Sequence, residues 1–543
     1  MERLLDYEGD GRQNTALRRL QEGLKAARVP CSIERPQAFV PRSVLQRLVD
    51  ENVADFLREE LIAESESIPS LVEPISQQAP KLLAILVNVK KEQYMIQFLR
   101  EEIHDDSLPF IRAPNPQGSG FTLLTKQGQP IQTVKDWDSQ SINTFEFKQY
   151  RVLSPVFLRG EHYDLDELHI LPFIKKDTGP DYKPVAAGGY GEVSQECIHP
   201  DHHELEDPSA RKEVVVAVKR MFHNADFEPE RKVYQDLGTS SHPHLINLLF
   251  TYRKGDKCHF VFPWADGTLK DYWEKTGKPI LSPWLLIWYL QQMVGLASGL
   301  AFFHDFTNPT TGMPRFGRHG DIKAQNILWF QNGNVLKIAD LGLASVRGRG
   351  SRSNVPPSTV RGSPTYSPPD AERKCLVSRK WDIWSLGCLY LEMMTHLILG
   401  CDAIAKFADQ RRERSIDIPE LFTDAFYSSS YEAVKQSVVL WVDRLKRSPR
   451  CSSMMHNVLD LIMSEMIVIE PTKRSSAQEI CAKLGIMLER SRIDEGYLLK
   501  PNPMSGSMRH KLPGAFPSID SNALMHSRTP WIAAASKSHS WNC

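Results

Sequence analysis

The sequence predicts an α+β protein in which helical and β segments occupy separate stretches of the chain. Apolar residues recur at helical spacing over 44–62 and again over 82–99, although 85–89 also fits a strand. Further along, the apolar runs 327–330 and 335–339 flank an Asn-Gly turn, which is the pattern of a β-hairpin. Helices therefore dominate the beginning of the chain, and strands join them in the part that follows.

The composition is typical of a globular protein without a strongly charged partner. The chain has 543 residues, 41% hydrophobic and 24% charged, which leaves room for two to four domains. Lys+Arg and Asp+Glu number 66 each, so the charge predicts neither nucleic acid nor a membrane surface as a partner. The nine cysteines are scattered without a Cys-x-x-Cys pair, which is typical of a reducing compartment.

We expect a cytoplasmic or nuclear protein without a signal peptide or transmembrane segment. The first residues lack the basic and apolar runs of a signal peptide. The stretch 284–304 is apolar enough to resemble a membrane span, but Gln291, Gln292 and Ser298 interrupt it. A buried core helix is the better interpretation of this stretch.

Residues 1–160 predict a mainly helical N-terminal region without a catalytic constellation. Ser43 is the expected N-cap of the first strongly periodic helix. Two short pieces, 144–147 and 150–153, have a β-like composition. We expect this region to be a packing module or to bind a protein partner.

A glycine-rich stretch follows after the N-terminal region 1–160. It reads Ala-Ala-Gly-Gly-Tyr-Gly-Glu-Val over 186–193, and glycines let backbone N–H groups approach phosphates that a Cβ would obstruct. The adjoining insertion 197–203 contains one cysteine and three histidines. We interpret it as a polar surface loop rather than a metal site, because no second cluster of ligands accompanies it.

The apolar strand 214–219 ends on a lysine. Because an unpaired ammonium is costly to bury, Lys219 needs an anionic partner, either a phosphate or a carboxylate on a helix. Glu230 lies in the helical pattern that follows. Glu228 is the alternative, but it precedes a proline and is expected outside the helix.

The run His-Gly-Asp-Ile-Lys-Ala-Gln-Asn over 319–326 brings several polar functions together in one loop. Asp321 is a candidate base, Lys323 a cation and Asn326 an oxygen ligand. Asp340 follows the predicted hairpin and supplies a second oxygen ligand. Phosphoryl transfer passes through a loose transition state, so that positioning and electrostatics carry most of the catalysis, and this set of groups suits it.

Taken in order, these motifs resemble those of the eukaryotic-type protein kinase superfamily, serine/threonine branch. The run 319–326 matches the catalytic loop and Asp-Leu-Gly at 340–342 the metal-binding motif, and the resemblance covers 165–490. It implies the two-lobed protein kinase fold, with a small, mainly β N-lobe and a larger α-helical C-lobe. The tail 495–543 is expected to be disordered. The layout is also similar to fungal kinase-domain proteins with a helical N-terminal region.

The resemblance implies a role for each motif. Asp321 would accept the proton of the substrate hydroxyl, and Lys323 would stabilise the γ-phosphate of ATP. Asn326 and Asp340 would hold Mg²⁺, while Lys219, paired with Glu230, would contact the α- and β-phosphates. The other implied ATP-binding positions are Ala186, Gly188, Gly189, Gly191 and Val193 of the glycine-rich loop, Ala217, the gatekeeper Phe262, and Pro263, Trp264 and Ala265 of the hinge.

Three positions near the catalytic residues depart from the family pattern, besides the alanine at position 186. Gly320 stands where the family has an arginine, so we expect activity not to depend on a phosphate held by an arginine at this place. Leu341 replaces a phenylalanine and Ala324 a proline. None of these changes removes a catalytic functional group.

The resemblance also implies roles for residues beyond the catalytic loop. Asp382 would brace the loop backbone. Asp370, with a shorter side chain than the usual glutamate, would pair with Arg474. Ser363 ahead of a proline, like Lys323, matches the serine/threonine branch.

The resemblance therefore implies an ATP- and Mg²⁺-dependent enzyme that transfers phosphoryl groups to serine or threonine hydroxyls of protein substrates, in intracellular signalling. The alternative from another class is a pseudokinase scaffold that binds partners through residues 1–160. The complete set of Lys, Glu, Asp, Asn and Asp favours the enzyme, because a scaffold is free to lose these residues. A small-molecule kinase is a third interpretation, and the segment 343–370 disfavours it because it resembles the activation segment of protein kinases.

Overall fold

The structure is a computed structural model of the chain. It describes residues 15–33, 36–60, 68–115, 120–175, 186–187, 191–205, 212–238, 241–348, 363–370, 372–373, 378–414 and 422–502. Within these residues a helical N-terminal region with its own core precedes a β-rich lobe and a larger helical lobe. The predicted α+β class with two lobes is confirmed.

Helices dominate the N-terminal region, with two short antiparallel strand pairs between them. The helices are α1 (Ala16–Ala26), α2 (Arg42–Glu60), α3 (Ile68–Gln78), α4 (Pro80–Val89), α5 (Met95–Arg100) and α6 (Ser139–Lys148). The strands are β1 (Val29–Pro30), β2 (Ala38–Phe39), β3 (Ile111–Pro114) and β4 (Phe121–Leu124), pairing β1 with β2 and β3 with β4.

One apolar core holds this region together, with side chains from α1, α2, α4 and α6. The predicted helix over 44–62 is present as α2, which the structure describes up to Glu60. The stretch 82–99 is not one helix, because a turn after Val89 divides it between α4 and α5, and 85–89 is part of α4 rather than a strand. The expectation of β-like pieces at 144–147 and 150–153 is wrong, because α6 and a following 3₁₀ turn occupy them. Phe145 is buried while Phe147 is 59% exposed, since one face of α6 meets the core.

The N-terminal region contacts the β-rich lobe through the start of α2. Helix α2 begins at Arg42, so Ser43 lies in its first turn and the expected N-cap role is wrong. The Arg42 N–H donates to Nε2 of His202, and the Ser43 N–H donates to the Asp201 carboxylate, each at 3.3 Å. Residues of the other lobe therefore satisfy the free N–H groups of this helix end. The insertion 197–203 is thus a contact surface, with His202 only 2% exposed, and not the polar surface loop that we expected.

In the described residues, the N-lobe consists of a sheet and the helix α7. Its strands follow the order β6-β12-β13-β11-β9-β7, and β8 also pairs with β9. Strands β6 and β12 are parallel, and the other neighbours are antiparallel. The elements, including the outlying pair β5 and β10, are β5 (Phe157–Leu158), β6 (His162–Leu165), β7 (Phe173–Ile174), β8 (Ala186–Ala187), β9 (Gly191–Ile198), β10 (His203–Glu204), β11 (Val214–Met221), α7 (Phe227–Leu237), β12 (Phe250–Lys254) and β13 (Lys257–Pro263).

The alternation of side chains along β11 gives this sheet two different faces. Val216 and Val218 are buried in an apolar cluster on the outer face, together with Phe250. Ala217 and Lys219 alternate with them and therefore lie on the opposite face. Lys219 therefore lies on the same side of the sheet as Glu230 and Asp340.

The boundary between the N-terminal region and the N-lobe lies earlier than the predicted 160–165. Strand β5 pairs with β10 and β6 with β12, so residues 157–165 belong structurally to the N-lobe. Phe157 is fully buried and stacks on Phe250, with 4.2 Å between the ring centroids. These strands pair with segments distant in sequence, which local periodicity does not reveal.

The C-lobe is mainly helical, with short strands around the catalytic loop. Its elements are β14 (Gly267–Thr268), α8 (Leu269–Thr276), α9 (Pro283–His304), β15 (Phe306–Thr307), β16 (Pro314–Arg318), β17 (Ile327–Phe330), β18 (Val335–Ile338), β19 (Ser345–Gly348), α10 (Lys380–Leu399), α11 (Cys401–Arg411), β20 (Glu413–Arg414), β21 (Phe422–Thr423), α12 (Gln436–Lys446), α13 (Ser453–Leu461), α14 (Ala477–Ile493) and α15 (Glu495–Leu499). The predicted hairpin is the pair β17–β18.

Two long apolar helices form the centre of this lobe. Helix α10 is buried over almost its whole length, with Trp384 among the largest fully buried side chains. Helix α9 is long and apolar enough to cross a membrane by length and composition, and 67% of its most apolar window is buried inside the protein. It packs against α14, as expected of a core helix.

The end of the described chain corrects the predicted tail. Disorder was expected from residue 495, but Glu495–Leu499 form α15. Tyr497 and Leu498 are buried in the C-lobe core. The remaining residues, 503–543, lie outside the part of the chain that the structure describes.

Candidate active site

The loop 319–326 lies between β16 and β17, and one carboxylate holds its backbone. Asp382 accepts hydrogen bonds from the N–H groups of His319 and Gly320, each at 2.8 Å. Nε2 of His304 lies 2.9 Å from the same carboxylate. Burial alone would raise the pKa of Asp382, but the His304 side chain and these donors bring it below its usual value. The predicted brace is therefore present, and His304, the last residue of α9, was missed because no motif marks it.

Position 320 fits glycine closely. Gly320 has φ +87°, and a Cβ there would lie 3.1 Å from the backbone oxygen of Leu343. Other residues rarely adopt this backbone conformation. An arginine at position 320 would need a strained backbone and a shift of the neighbouring segment, which explains locally why glycine suits this loop.

The three predicted catalytic residues lie together and contact the activation segment. Nζ of Lys323 is 2.6 Å from Oδ2 of Asp321 and donates to Oγ of Ser363 at 2.7 Å. The Ser363 N–H donates to Oδ1 of Asp321 at 2.9 Å. Nδ2 of Asn326 donates to Oδ2 and to the backbone oxygen of Asp321, at 3.0 and 2.8 Å. The Asp321 carboxylate, 8% exposed as a residue, is thus held from three sides.

A second charged cluster joins the N-lobe to the C-lobe. Nζ of Lys219 lies 2.9 and 3.0 Å from the two carboxylate oxygens of Glu230 and 2.9 Å from Oδ1 of Asp340. The predicted pairing with Glu230 is therefore present. Glu228 lies inside the first turn of α7, where a following proline is tolerated, and contacts Arg231 at 3.2 Å. Its expected place outside the helix is wrong, but it is not the partner of the lysine.

Lys219 and Asp340 stabilise each other's charge, whereas burial outweighs the effect of the Lys219 ammonium on Glu230 and raises the pKa of that carboxyl above its usual value. Burial would lower the pKa of Lys219, but the carboxylates of Asp340 and Glu230 outweigh it and raise that pKa above its usual value. Burial would likewise raise the pKa of Asp340, but the Lys219 ammonium lowers it. Lys219 is therefore a cation and Asp340 an anion at neutral pH.

The glycine-rich stretch is described in part. A Cβ on Gly191 would lie 2.4 Å from the backbone oxygen of Arg220, so this crossing of β9 and β11 requires glycine. Ala186 pairs with Val193 in the sheet, and Val193 stands opposite Lys219. Gly188 and Gly189 lie outside the described residues, and their part in the site stays a prediction.

Strand β13 carries the predicted gatekeeper and leads into the hinge. Phe262 stands opposite Ala217 in the antiparallel register, so both lie on the face that bears the charged cluster. Pro263 is the last residue of β13, and Trp264 and Ala265 follow it, all partly exposed. Phe262 therefore shares the face of the charged cluster, whereas Pro263 stands opposite Val216 on the other face, and the hinge role of Pro263, Trp264 and Ala265 stays a prediction.

Asp370 and Arg474 form a buried bidentate ion pair. Nη1 and Nη2 of Arg474 donate to the two carboxylate oxygens of Asp370 at 2.9 and 2.6 Å, and both side chains have no exposed surface. The aspartate, although shorter than glutamate, reaches its partner. The pair fastens the end of the activation segment to the turn before α14.

The predicted metal ligands fit Mg²⁺ in their chemistry. Among the described hydrogen bonds, the Asn326 side chain uses Nδ2, which leaves its amide oxygen as a ligand atom. Asp340 turns Oδ1 toward Lys219, and its side chain is 37% exposed. A carboxylate and an amide oxygen are the hard ligands that Mg²⁺ prefers. These two residues could therefore hold a magnesium ion.

Comparison with known proteins identifies the family. The family model described as "Protein kinase domain" matches residues 181–484, more than half of the chain. The chain belongs to the eukaryotic-type protein kinase superfamily. The matched range includes both charged clusters, while residues 1–180 lie outside it. The similarity to fungal kinase-domain proteins stays a prediction.

Curated relatives are similar to the kinase domain at low identity. "Serine/threonine-protein kinase Nek5" of Homo sapiens is 29% identical over 170 residues, 31% of this chain and 22% of that protein. Nek5 of Mus musculus is 24% identical over 233 residues, 42% of this chain and 31% of that protein. "Probable serine/threonine-protein kinase PBL16" of Arabidopsis thaliana is 24% identical over 315 residues, 54% of this chain and 72% of that protein. The matched part thus spans less than a third of either Nek5 protein.

Proposed function

We propose that this protein transfers the γ-phosphoryl group of ATP to serine or threonine hydroxyls of protein substrates. The observation that carries the proposal is the position of Lys219 between Glu230 and Asp340, at 2.9–3.0 Å from each. Lys219 belongs to β11, the strand that we expect to face the nucleotide, and Asp340 is an expected metal ligand, so this contact links the two positions. It supports an arrangement in which nucleotide and metal positions are assembled together.

On the nucleotide side, Lys219 is the group that would contact the α- and β-phosphates. Its contacts with the Asp340 and Glu230 carboxylates orient the ammonium and keep it charged in a buried place. Asn326 and Asp340 would hold Mg²⁺, which when bound neutralises charge on the phosphate oxygens. The backbone of the glycine-rich loop would also contact the phosphates.

On the acceptor side, Asp321 would orient the substrate hydroxyl and accept its proton. The Ser363 N–H and the Asn326 amide hold the two oxygens of this carboxylate in place. Lys323, which contacts both Asp321 and the Ser363 hydroxyl, would stabilise negative charge on the transferred phosphoryl group. This lysine, together with Ser363, supports serine or threonine as the acceptor.

We would test the proposal by measuring transfer of radiolabelled phosphate from ATP and Mg²⁺ to a generic basic protein and to the chain itself. Asp321→Asn is expected to lower the rate about 10²–10⁴-fold, the usual contribution of a positioned general base. Nucleotide binding, followed as a thermal shift with ATP, should be retained. Asp164→Asn is the matched control, because Asp164 is a surface carboxylate 62% exposed and paired with Arg253.

Equal transfer by the wild type and the Asp321 variant would remove Asp321 from the role of base. Nucleotide binding without transfer by the wild type toward several basic, acidic and neutral proteins would favour the pseudokinase scaffold. In that case the N-terminal region, which contacts the N-lobe through α2, becomes the place to search for partners.

A further inference from the structure

A cavity of about 610 Å³ lies on the outer face of the N-lobe sheet. Val218 and Arg220 of β11 line it, and Lys219, which lies between them in the sequence, belongs to the opposite face. Ile33 of the N-terminal region also lines the cavity. Small-molecule sites in proteins usually have volumes of roughly 300–1,000 Å³. The cavity therefore has the size of a ligand site, and the sheet separates it from the expected nucleotide face.

The walls of this cavity combine apolar side chains with a polar opening. Leu171, Phe173 and Val218 are buried and supply apolar surface. Asp256 and Lys257, at the turn from β12 to β13, are exposed, so the cavity opens to solvent there. A ligand could thus enter at this turn and bury an apolar part against the sheet.

Glu196 is a buried carboxyl in the lining of this cavity. The residue is 5% exposed, and its Oε1 has no hydrogen-bond partner among the described residues. Its Oε2 accepts a hydrogen bond from the Ser32 hydroxyl at 3.3 Å, and the Ser194 hydroxyl also acts on the carboxyl. These partners are neutral, whereas a buried carboxylate is normally paired with a cation. Glu196 therefore lacks a charged partner in the described part of the chain.

His259 places a second unpaired polar atom in the same lining. The residue is 9% exposed, and its Nδ1 has no hydrogen-bond partner among the described residues. Its ring stacks on Tyr252 with 4.2 Å between the centroids and 9° between the planes. Burial lowers the pKa of His259 to about 4, so the ring is neutral at pH 7. It can form a hydrogen bond with a ligand without adding positive charge to the cavity.

The charged side chains of the lining leave one carboxyl in excess. Four carboxyl groups face three cations, namely Glu167, Glu192, Glu196 and Asp256 against Arg220, Lys254 and Lys257. Nε of Arg220 lies 2.7 Å from Glu192, which forms one ion pair. Glu196 is the buried member of the four carboxyls. A single positive charge on a ligand would balance this set.

We propose that this cavity binds a protonated organic amine whose ammonium group contacts Glu196. An ammonium would donate to the unused Oε1 in a charge-assisted hydrogen bond. Its apolar part would lie against Leu171 and Phe173, and Nδ1 of His259 would form a further hydrogen bond. Because Ser32 and Ile33 adjoin the same space, the ligand would contact both the N-terminal region and the N-lobe.

The test is a ligand-observed NMR titration of the full chain with benzylamine, phenethylamine and tryptamine. Each amine is compared with the neutral alcohol of the same shape, which is benzyl alcohol, phenylethanol or tryptophol. At pH 8 Glu196 is mostly ionised, because burial raises its pKa to about 7, and the amines keep their proton. At least one amine should bind saturably and about tenfold or more tightly than its alcohol, the difference expected for one hydrogen bond to a charged group.

Glu196→Gln keeps the shape of the side chain but removes its charge, so the preference for the amine over the alcohol should disappear. Glu228→Gln is the matched control, because this carboxylate is 67% exposed on α7 and outside the cavity. It should bind the amine as the wild type does. An excess of ATP and Mg²⁺ should leave amine binding unchanged, since the nucleotide is expected on the other face of the sheet.

Three results would overturn the proposal. They are the absence of an amine preference in all three pairs, a preference that persists in Glu196→Gln, and displacement of the amine by ATP. If Glu196→Gln fails to fold, Ile33→Trp remains informative, because it adds bulk at a partly exposed position of the lining and should weaken amine binding. Asp321→Asn should bind the amine as the wild type does, which separates this test from that of the kinase activity.

A further arm distinguishes two sources of the ammonium group, a free amine and a lysine side chain of a partner protein. The full chain is titrated with lysine blocked at its amino and carboxyl ends. Tighter binding of the blocked lysine than of the three amines would assign the cavity to a lysine side chain. The reverse order would assign it to a free amine.

Discussion

At the scale of single residues, buried ion pairs are the positions where one substitution should change stability most. Asp370 and Arg474 have no exposed surface and share two hydrogen bonds. The Arg474 guanidinium also donates to the backbone oxygens of Lys380, Val468 and Ile469. Removing one member of such a pair leaves an uncompensated charge in the interior, which is far more costly than losing an exposed pair.

We therefore predict that Arg474→Met lowers the free energy of unfolding by about 3–5 kcal/mol, because Asp370 would be left buried without its partner. Arg253→Met, which breaks an exposed pair with Asp164, should cost less than about 1 kcal/mol. Urea unfolding of the full chain, followed by tryptophan fluorescence, measures both. Similar losses for the two variants would mean that the buried pair adds nothing beyond a surface contact.

At the scale of elements, the last helix shows that burial decides whether a segment is structured. Helix α15 is only five residues long, too short to be stable by itself. Its structure depends on Tyr497 and Leu498, which enter the C-lobe core with 4% and 3% of their surface exposed. The sequence after these two residues is polar, which is why the sequence analysis predicted disorder from residue 495 onward.

Leu498→Ala should consequently lower the free energy of unfolding by about 2–5 kcal/mol, as expected for a large-to-small change in a core. The neighbouring Ile493→Ala is the matched control, because that side chain is 87% exposed and should change stability by less than about 0.5 kcal/mol. Thermal unfolding of both variants gives the comparison. If the two melting temperatures fall equally, α15 does not depend on core burial.

At the scale of the whole molecule, buried histidines couple stability to pH. Burial lowers the pKa of His202, His244, His259 and His396 from 6.5 to about 4. Between these values the unfolded chain binds more protons than the folded chain, so stability falls as the pH decreases from about 6.5 toward 4. Glu196 opposes this, because burial raises its pKa to about 7 and its stabilising protonation is lost as the pH rises toward that value.

The melting temperature of the full chain should therefore fall when the pH is lowered from 7 to 4.5, because among the described residues the histidines whose pKa burial lowers outnumber the carboxyl groups whose pKa burial raises. His202→Gln should make that fall shallower, whereas Glu196→Gln should make it steeper, because the opposing group is removed. Differential scanning calorimetry at several pH values checks all three proteins. A melting temperature that is constant or rises on acidification would contradict this balance of charges.

Much of the candidate site could be predicted because its chemistry lies in short, ordered motifs. Asp321, Lys323 and Asn326 come from one loop, and the structure brings them into contact as that loop suggested. Lys219 and Glu230 come from adjacent elements, a strand and the helix after it. The contact of His304 with Asp382 could not be predicted in this way, because residues from separate elements meet there without any shared sequence pattern.

The sequence by itself determined the protein's α+β class, the helices of the N-terminal region and the identity of the charged residues. These features depend on local periodicity, turn signals and motif spacing, which act over a few residues. The tertiary structure decided where the N-lobe begins, that the insertion 197–203 is a contact surface with His202 buried, and that α15 belongs to the core. These outcomes depend on pairing and burial between segments far apart in the chain, whose energies arise only when the whole fold assembles.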